Sequence, residues 1–254
     1  MTTEKMFSPS DFAAHLASRE TPSDDRLALH RLADEVRRLT DALQGTKAPA
    51  ALLAETATSL SALQARIAAY GSNARHYGAA ESSLATMGHG EAQSDDARFF
   101  FKDHSPVAGL GNPIAPPIDF TIEDTKVIGQ CTFPRAYEGP PGHVHGGWIA
   151  AAFDELLGMA QSLSGAPGMT ARLIVNYRRP TPLHTPVRYV GWIDRVEGRK
   201  IFTIGQAFRT DTDELLDEAE GLFISMSLQN LMGAAEAVWR AEEAGQTARS
   251  TPET

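Results

Sequence analysis

Apolar positions along the chain fall into three textures. In DDRLALHRLADEVRRLTDAL, residues 24–43, Leu29, Leu32, Val36, Leu39 and Leu43 recur at alternating spacings of three and four, which makes one stripe on a helix. Thr21, Pro22 and Ser23 mark its start. After the breaker QGTKAP, a second stripe of Leu53, Leu60, Leu63, Ile67 and Tyr70 predicts the other arm of an antiparallel helical hairpin. Two helices alone cannot bury both stripes, so the hairpin is expected to lie on the rest of the chain or on a partner chain. Residues 71–96, rich in Gly, Ala and Ser, read as a connector.

From about residue 97 the period changes to two. IDFTIED and TKVIGQCTF read as strands behind a Pro and Gly loop, HSPVAGLGNPIAPP. A glycine-rich corner and one apolar helix follow. TARLIVNYRRP, PVRYVGWIDRV, KIFTIGQAF and ELLDEAEGLFISMSL then predict four strands in a meander, turning at EGRK and TDTDE. An amphipathic helix at about 230–244 closes the chain. The class is α+β, divided into a helical extension with linker at 1–96, a sheet-and-helix domain at 97–228 and a C-terminal helix and tail at 229–254.

Composition narrows the function. With 254 residues, 42% hydrophobic composition and a formal charge of −9, the chain resembles an ordinary soluble protein and lacks the basic face that nucleic acid requires. The start MTTEKMFSPSDF has no apolar signal core, and no apolar run approaches a membrane span, so a cytoplasmic location, no membrane and no nucleic-acid partner are expected. Cys131, the only cysteine, reads as a small core residue. The histidines, His143 and His184 among them, show no ligand spacing; no metal and no cofactor are expected.

The middle helix carries the candidate chemistry. Its body, WIAAAFDELLGMA, is apolar nearly all round, which requires a sheet curled about it. At 100° per residue Gly147, Ala150, Ala151, Asp154, Gly158 and Gln161 share one face, while Trp148, Ile149, Ala152, Phe153, Leu156 and Met159 supply bulk elsewhere. The acid thus sits in a trough of small side chains, suited to a ligand or to a second helix. The Gly146-Gly147 corner offers helix N-terminal N–H groups to a carbonyl oxygen that becomes an oxyanion. An oxyanion donor together with a carboxylate that attacks or activates water is what acyl transfer needs.

The stretches HGGWIAAAFDELLG and MTARLIVNYRRPTPL, with the acid nine residues after His145, resemble the hotdog fold. Within it they are similar to the acyl-CoA thioesterases related to 4-hydroxybenzoyl-CoA and phenylacetyl-CoA thioesterase, and to mammalian mitochondrial members with the same HGG opening. The likeness spans about residues 97–228. It implies an acyl-CoA substrate, the Gly146 N–H on the thioester carbonyl, Asp154 as base or nucleophile, and Thr170 positioning the water or the carboxylate. It also implies a homodimer or a dimer of dimers, in which Thr170 could act on the partner's Asp154.

Each assignment has a duller competitor. Asp154 could pair with Arg172, Glu155 could be the working acid, and His145 could organise its loop in place of acting as a base. Between residues 172 and 209 eight basic residues stand against two acidic ones, which suits a phosphorylated handle such as coenzyme A. Arg178 and Arg179, with Gly147, are the candidate substrate contacts; acids of DELLDEAE could instead pair with those arginines. A hotdog hydratase would resemble a pattern with His five residues after the helix acid, where this chain has Met159. A non-catalytic acyl-CoA sensor is the third reading.

Overall fold

The computed structural model describes residues 22–71, 103–166 and 168–226; the expected C-terminal helix at 230–244 and most of the connector lie outside them. Two helices come first, α1 (Asp24–Leu43) and α2 (Ala50–Ala68). Strands β1 (Asp119–Glu123) and β2 (Lys126–Thr132), a 3-10 turn (Arg135–Tyr137) and α3 (Gly146–Ser162) follow. Strands β3 (Gly168–Tyr177), β4 (Pro186–Glu197), β5 (Lys200–Arg209) and β6 (Glu214–Ser225) complete one sheet. Every neighbouring pair in it is antiparallel, in the order β1-β2-β4-β5-β6-β3.

Three of the four later strands form the expected meander. β3 does not begin it; it pairs with β6 at the far edge, and β4 returns to β2. The length of α3 explains the jump: 17 residues span about 25 Å, close to the roughly 24 Å width of six strands. The helix touches β2 through β6 along its course, so the chain leaves it at the opposite edge.

The apolar helix is wrapped as its composition requires. Ile149, Ala152, Phe153, Leu156, Leu157, Met159 and Ala160 are buried against the concave face. A row of small residues across the strands receives them, because Gly191 pairs with Gly205 and Gly205 with Ala219. A methyl group on Gly191 would come within 2.8 Å of Leu156, and one on Gly205 within 3.0 Å of Phe153. Cys131 is buried in this core, and burial pushes its thiol pKa up, so it is an inert packing residue.

The two N-terminal helices form where the stripes predict, but only part of the α1 stripe docks: Leu29 and Leu39 are half-buried, Leu29 against Gly111, and Ala33 is buried. Helix α1 also meets the rest through polar groups: Asp103 takes Arg26 at 2.6 and 2.9 Å and His30 at 2.6 Å. Arg37 donates to the carbonyls of Gly109, Leu110, Asn112 and Ala115. Leu32, Val36 and Leu43 of α1 stay exposed, as do Leu52, Leu53, Leu60, Leu63 and Ile67 of α2, which buries no residue. None of the described helices is long and apolar enough to cross a membrane.

Candidate active site

The corner before α3 is held on two sides. The Val144 N–H donates to the Thr181 carbonyl and the His145 N–H to the Tyr137 carbonyl, each at 2.9 Å. His145 then caps the helix, its Nδ1 accepting the Gly147 N–H at 3.0 Å. That is the loop-organising role weighed against a base, and it occupies the Gly147 amide. The Gly146 N–H has no acceptor among the described residues. Tyr177 Oη donates to the Gly146 carbonyl at 2.9 Å, and its ring would lie 3.4 Å from a Cβ placed at 146, at van der Waals contact.

Asp154 lies exposed on the open face of α3. Thr170, entering β3, donates from Oγ1 to Asp154 Oδ1 at 2.9 Å within the same chain. The expected trough is present, since a methyl group on Gly158 would meet nothing within 4 Å, whereas Gln161 at its far end is buried. Among the described residues Asp154 makes no ion pair with Arg172. Glu155 turns the other way. It sits beneath the loop that precedes β1, where Ser105 Oγ donates to Oε2 at 3.4 Å. Burial, then the neighbouring charge of Asp154, push its pKa up to about 7, opposed by the Ser105 hydroxyl.

The basic cluster finds local acids. Arg178 pairs with Glu218 at 2.8 Å and Arg179 with Glu214 at 2.7 Å, both on the last strand. Arg188, Arg195 and Arg209 likewise hold Asp213, Asp194 and Glu197, and Asp211. The local excess in the sequence is thus largely balanced by acids beyond residue 209. Among the described residues no group of His, Cys, Asp and Glu could hold a metal ion. A cavity of about 280 Å³ lined by Arg172, Arg195, Phe202, Glu220 and Leu222 involves strands only, away from α3.

Sequence reasoning passed over two buried acids, Asp103 beneath α1 and Asp217. Asp217 is fully buried on β6, and its Oδ2 accepts from Thr181 Oγ1 at 2.7 Å. The signal was present, because period two places Asp217 on one face with Ala219, Gly221 and Phe223.

Residues 141–216 match the family model described as Thioesterase superfamily. A solved thioesterase superfamily protein, RHA08564, is 34% identical with a TM-score of 0.64, and the match covers 77% of this chain and 94% of that one. The chain belongs to the thioesterase superfamily. Its curled antiparallel sheet around one helix is the hotdog fold. The acyl-coenzyme A thioesterase THEM4 of Xenopus laevis is 41% identical over 98 residues, 38% of this chain and 44% of that protein. Human acyl-coenzyme A thioesterase THEM5 is 30% identical over 110 residues, 42% of this chain and 44% of its own length. The chain thus matches under half the length of these curated relatives.

Proposed function

We propose that this superfamily member hydrolyses an acyl-CoA thioester to the free acid and coenzyme A. The observation that carries the reading is the pair of groups on α3: an N-terminal amide without an acceptor at Gly146 and an open-face carboxylate oriented by Thr170. The relatives named as acyl-coenzyme A thioesterases support the substrate class. In the reaction the Gly146 N–H stabilises negative charge on the thioester oxygen. Asp154 takes a proton from water as it adds to the carbonyl carbon, or adds itself. The C–S bond then breaks and the thiolate leaves; with water as the attacker the acyl group departs as the carboxylic acid, and with Asp154 as the attacker water then hydrolyses the mixed anhydride to the acid and regenerates the carboxylate. Thr170 holds one carboxylate oxygen and leaves the other free. Met159, five residues after Asp154, is buried in the core, which weighs against a hydratase.

One distance supports a site shared between two copies. Gly146 and Asp154 are eight residues apart on one helix, about 12 Å along its axis, whereas the attacked carbon and its attacker stand roughly 3–3.5 Å apart. The two groups of one chain therefore cannot serve the same carbonyl. A second copy with its α3 antiparallel brings the Gly146 of one chain to the Asp154 of the other, and the small residues of the trough permit the approach. The edge strand β3, paired with β6 alone and exposing Met169, Ile174 and Tyr177, supplies the surface for that homodimer. Two such dimers back to back would give the dimer of dimers.

The test measures thiol release from acyl-CoA esters. Asp154→Asn is expected to lose about 100-fold or more in kcat with the fold intact. Gly146→Pro, which removes the N–H at a helix position that tolerates proline, is expected to be similarly impaired. Refolded mixtures of the two variants regain activity if the site is shared between chains, since one of the two sites in each hybrid is then intact. Wild-type rates in Asp154→Asn would remove the carboxylate from the mechanism.

A further inference from the structure

Asp217 and Thr181 form a hydrogen-bonded pair beneath the glycine corner, 0% and 1% exposed. A buried carboxylate is a costly core residue, and this one leaves its second oxygen, Oδ1, without a partner among the described residues. The Tyr189 hydroxyl, equally buried and unpartnered, lies in the same row across the sheet, separated by the small Ala207. Packing alone does not call for an acid here, since an aliphatic side chain would fill the space without the desolvation cost.

What surrounds the pair is the support of the corner. Thr181 lies in the segment after β3, and its carbonyl receives the Val144 N–H at 2.9 Å. His143 bridges Pro182, and the Leu183 N–H reaches the Gly142 carbonyl at 3.0 Å. Residues 142–144 are thus laid along 181–183, and among the described residues the only side-chain bond tying that strap to β6 is the one from Thr181 to Asp217. On β3, Tyr177 stands directly opposite Asp217 and holds the Gly146 carbonyl. Two attachments, one backbone and one side chain, therefore run from the Asp217 region to residues 144 and 146.

We propose that Asp217, acting through Thr181, is a positioning residue that fixes the backbone of residues 143–147 so that the Gly146 N–H meets the substrate carbonyl. This rests on the thioesterase reading for its catalytic readout, and it carries a second readout that does not. Thr181→Val removes the donor at nearly constant shape, and Thr181→Ser restores it. Asp217→Leu replaces the acid with an aliphatic group that the core accepts, while Asp217→Asn keeps an acceptor for Thr181.

Thr181→Val and Asp217→Leu are expected to lose about tenfold or more in kcat, with KM changed less than about threefold and the protein folded at assay temperature. Thr181→Ser and Asp217→Asn are expected within about threefold of wild type. Amide exchange at residues 143–147 of the free protein should quicken in the first two variants and not in the second two. A folded Asp217→Leu or Thr181→Val with wild-type kcat and unchanged exchange overturns the proposal, as does an equal loss in Thr181→Ser. If wild type hydrolyses no acyl-CoA but the exchange pattern holds, the thioesterase reading fails while the positioning role stands. Should Thr181→Val not fold, Asp217→Leu decides.

Discussion

Helices α1 and α3 invert each other's packing logic. Helix α3 buries its bulky residues in a concave sheet and turns its small residues and one acid outward. Helix α1 turns Leu32, Val36 and Leu43 outward, half-buries Leu29 and Leu39, and docks in large part through Arg26, His30 and Arg37. A three-four apolar stripe therefore reports that a face seeks cover, and leaves open whether the cover belongs to the same chain. Directional polar contacts fix α1 at a few points, whereas α3 is held by non-directional area along its whole length.

The sharpest break of that contrast is a matched truncation. Phe153, fully buried and edge-on to Tyr189 at 5.4 Å, and Leu60, 40% exposed on α2, are both large apolar helix residues. Phe153→Ala is expected to cost about 4 kcal/mol by denaturant unfolding, and Leu60→Ala less than about 0.5 kcal/mol. A comparable loss for Leu60 at high protein concentration, absent on dilution, would locate its cover on another copy.

Next in size is the polar dock. Asp103→Asn leaves Arg26 and His30 facing a neutral group, and is expected to cost about 3 kcal/mol in the attachment of α1, read as faster amide exchange in residues 24–43. Burial pushes the Asp103 pKa up, but Arg26 and His30 outweigh it and hold the carboxyl below its ordinary value. A lowered folded pKa means the contribution is present above the ordinary value and lost as pH falls through the folded one. Acid should therefore release α1 before it unfolds the sheet.

These elements were not equally readable. The alternation in PVRYVGWIDRV and KIFTIGQAF, and the all-round apolar run of WIAAAFDELLGMA, state their structure because area burial leaves a periodic trace. Asp154 was legible because an acid on a face of alanines and glycines is conspicuous, whereas Thr170 came from the family resemblance and not from the pattern; the structure joins the two. Asp103, Ser105 and Thr181 were not, because a single hydrogen-bonded contact between residues 36 to 77 apart leaves no period. The placement of β3 escaped for a related reason: strand order depends on the route of α3, which strand patterns do not encode.

Asp217 tests the buried-acid side of the comparison through pH. Burial, opposed by the Thr181 hydroxyl, pushes its carboxyl up to about 6. A raised folded pKa gives stability that is full below the ordinary value near 4 and lost as pH rises through 6. The loss is on the order of 3 kcal/mol. Asp217→Asn should remove that decline from unfolding curves taken between pH 4 and 7. Glu155, pushed up to about 7, adds a decline of the same sign that Glu155→Gln removes.

The smallest effect separates a surface pair from a substrate contact. Arg178 is more than half exposed where it meets Glu218, so Arg178→Ala should change stability by less than about 1 kcal/mol. If the guanidinium exchanges Glu218 for a phosphate of coenzyme A, the same variant raises KM for acyl-CoA severalfold. It then leaves the rate with a phosphate-free thioester of N-acetylcysteamine unchanged. Equal effects on both substrates would assign Arg178 to the sheet surface alone, because only one of the two carries the charge that an arginine would recognise.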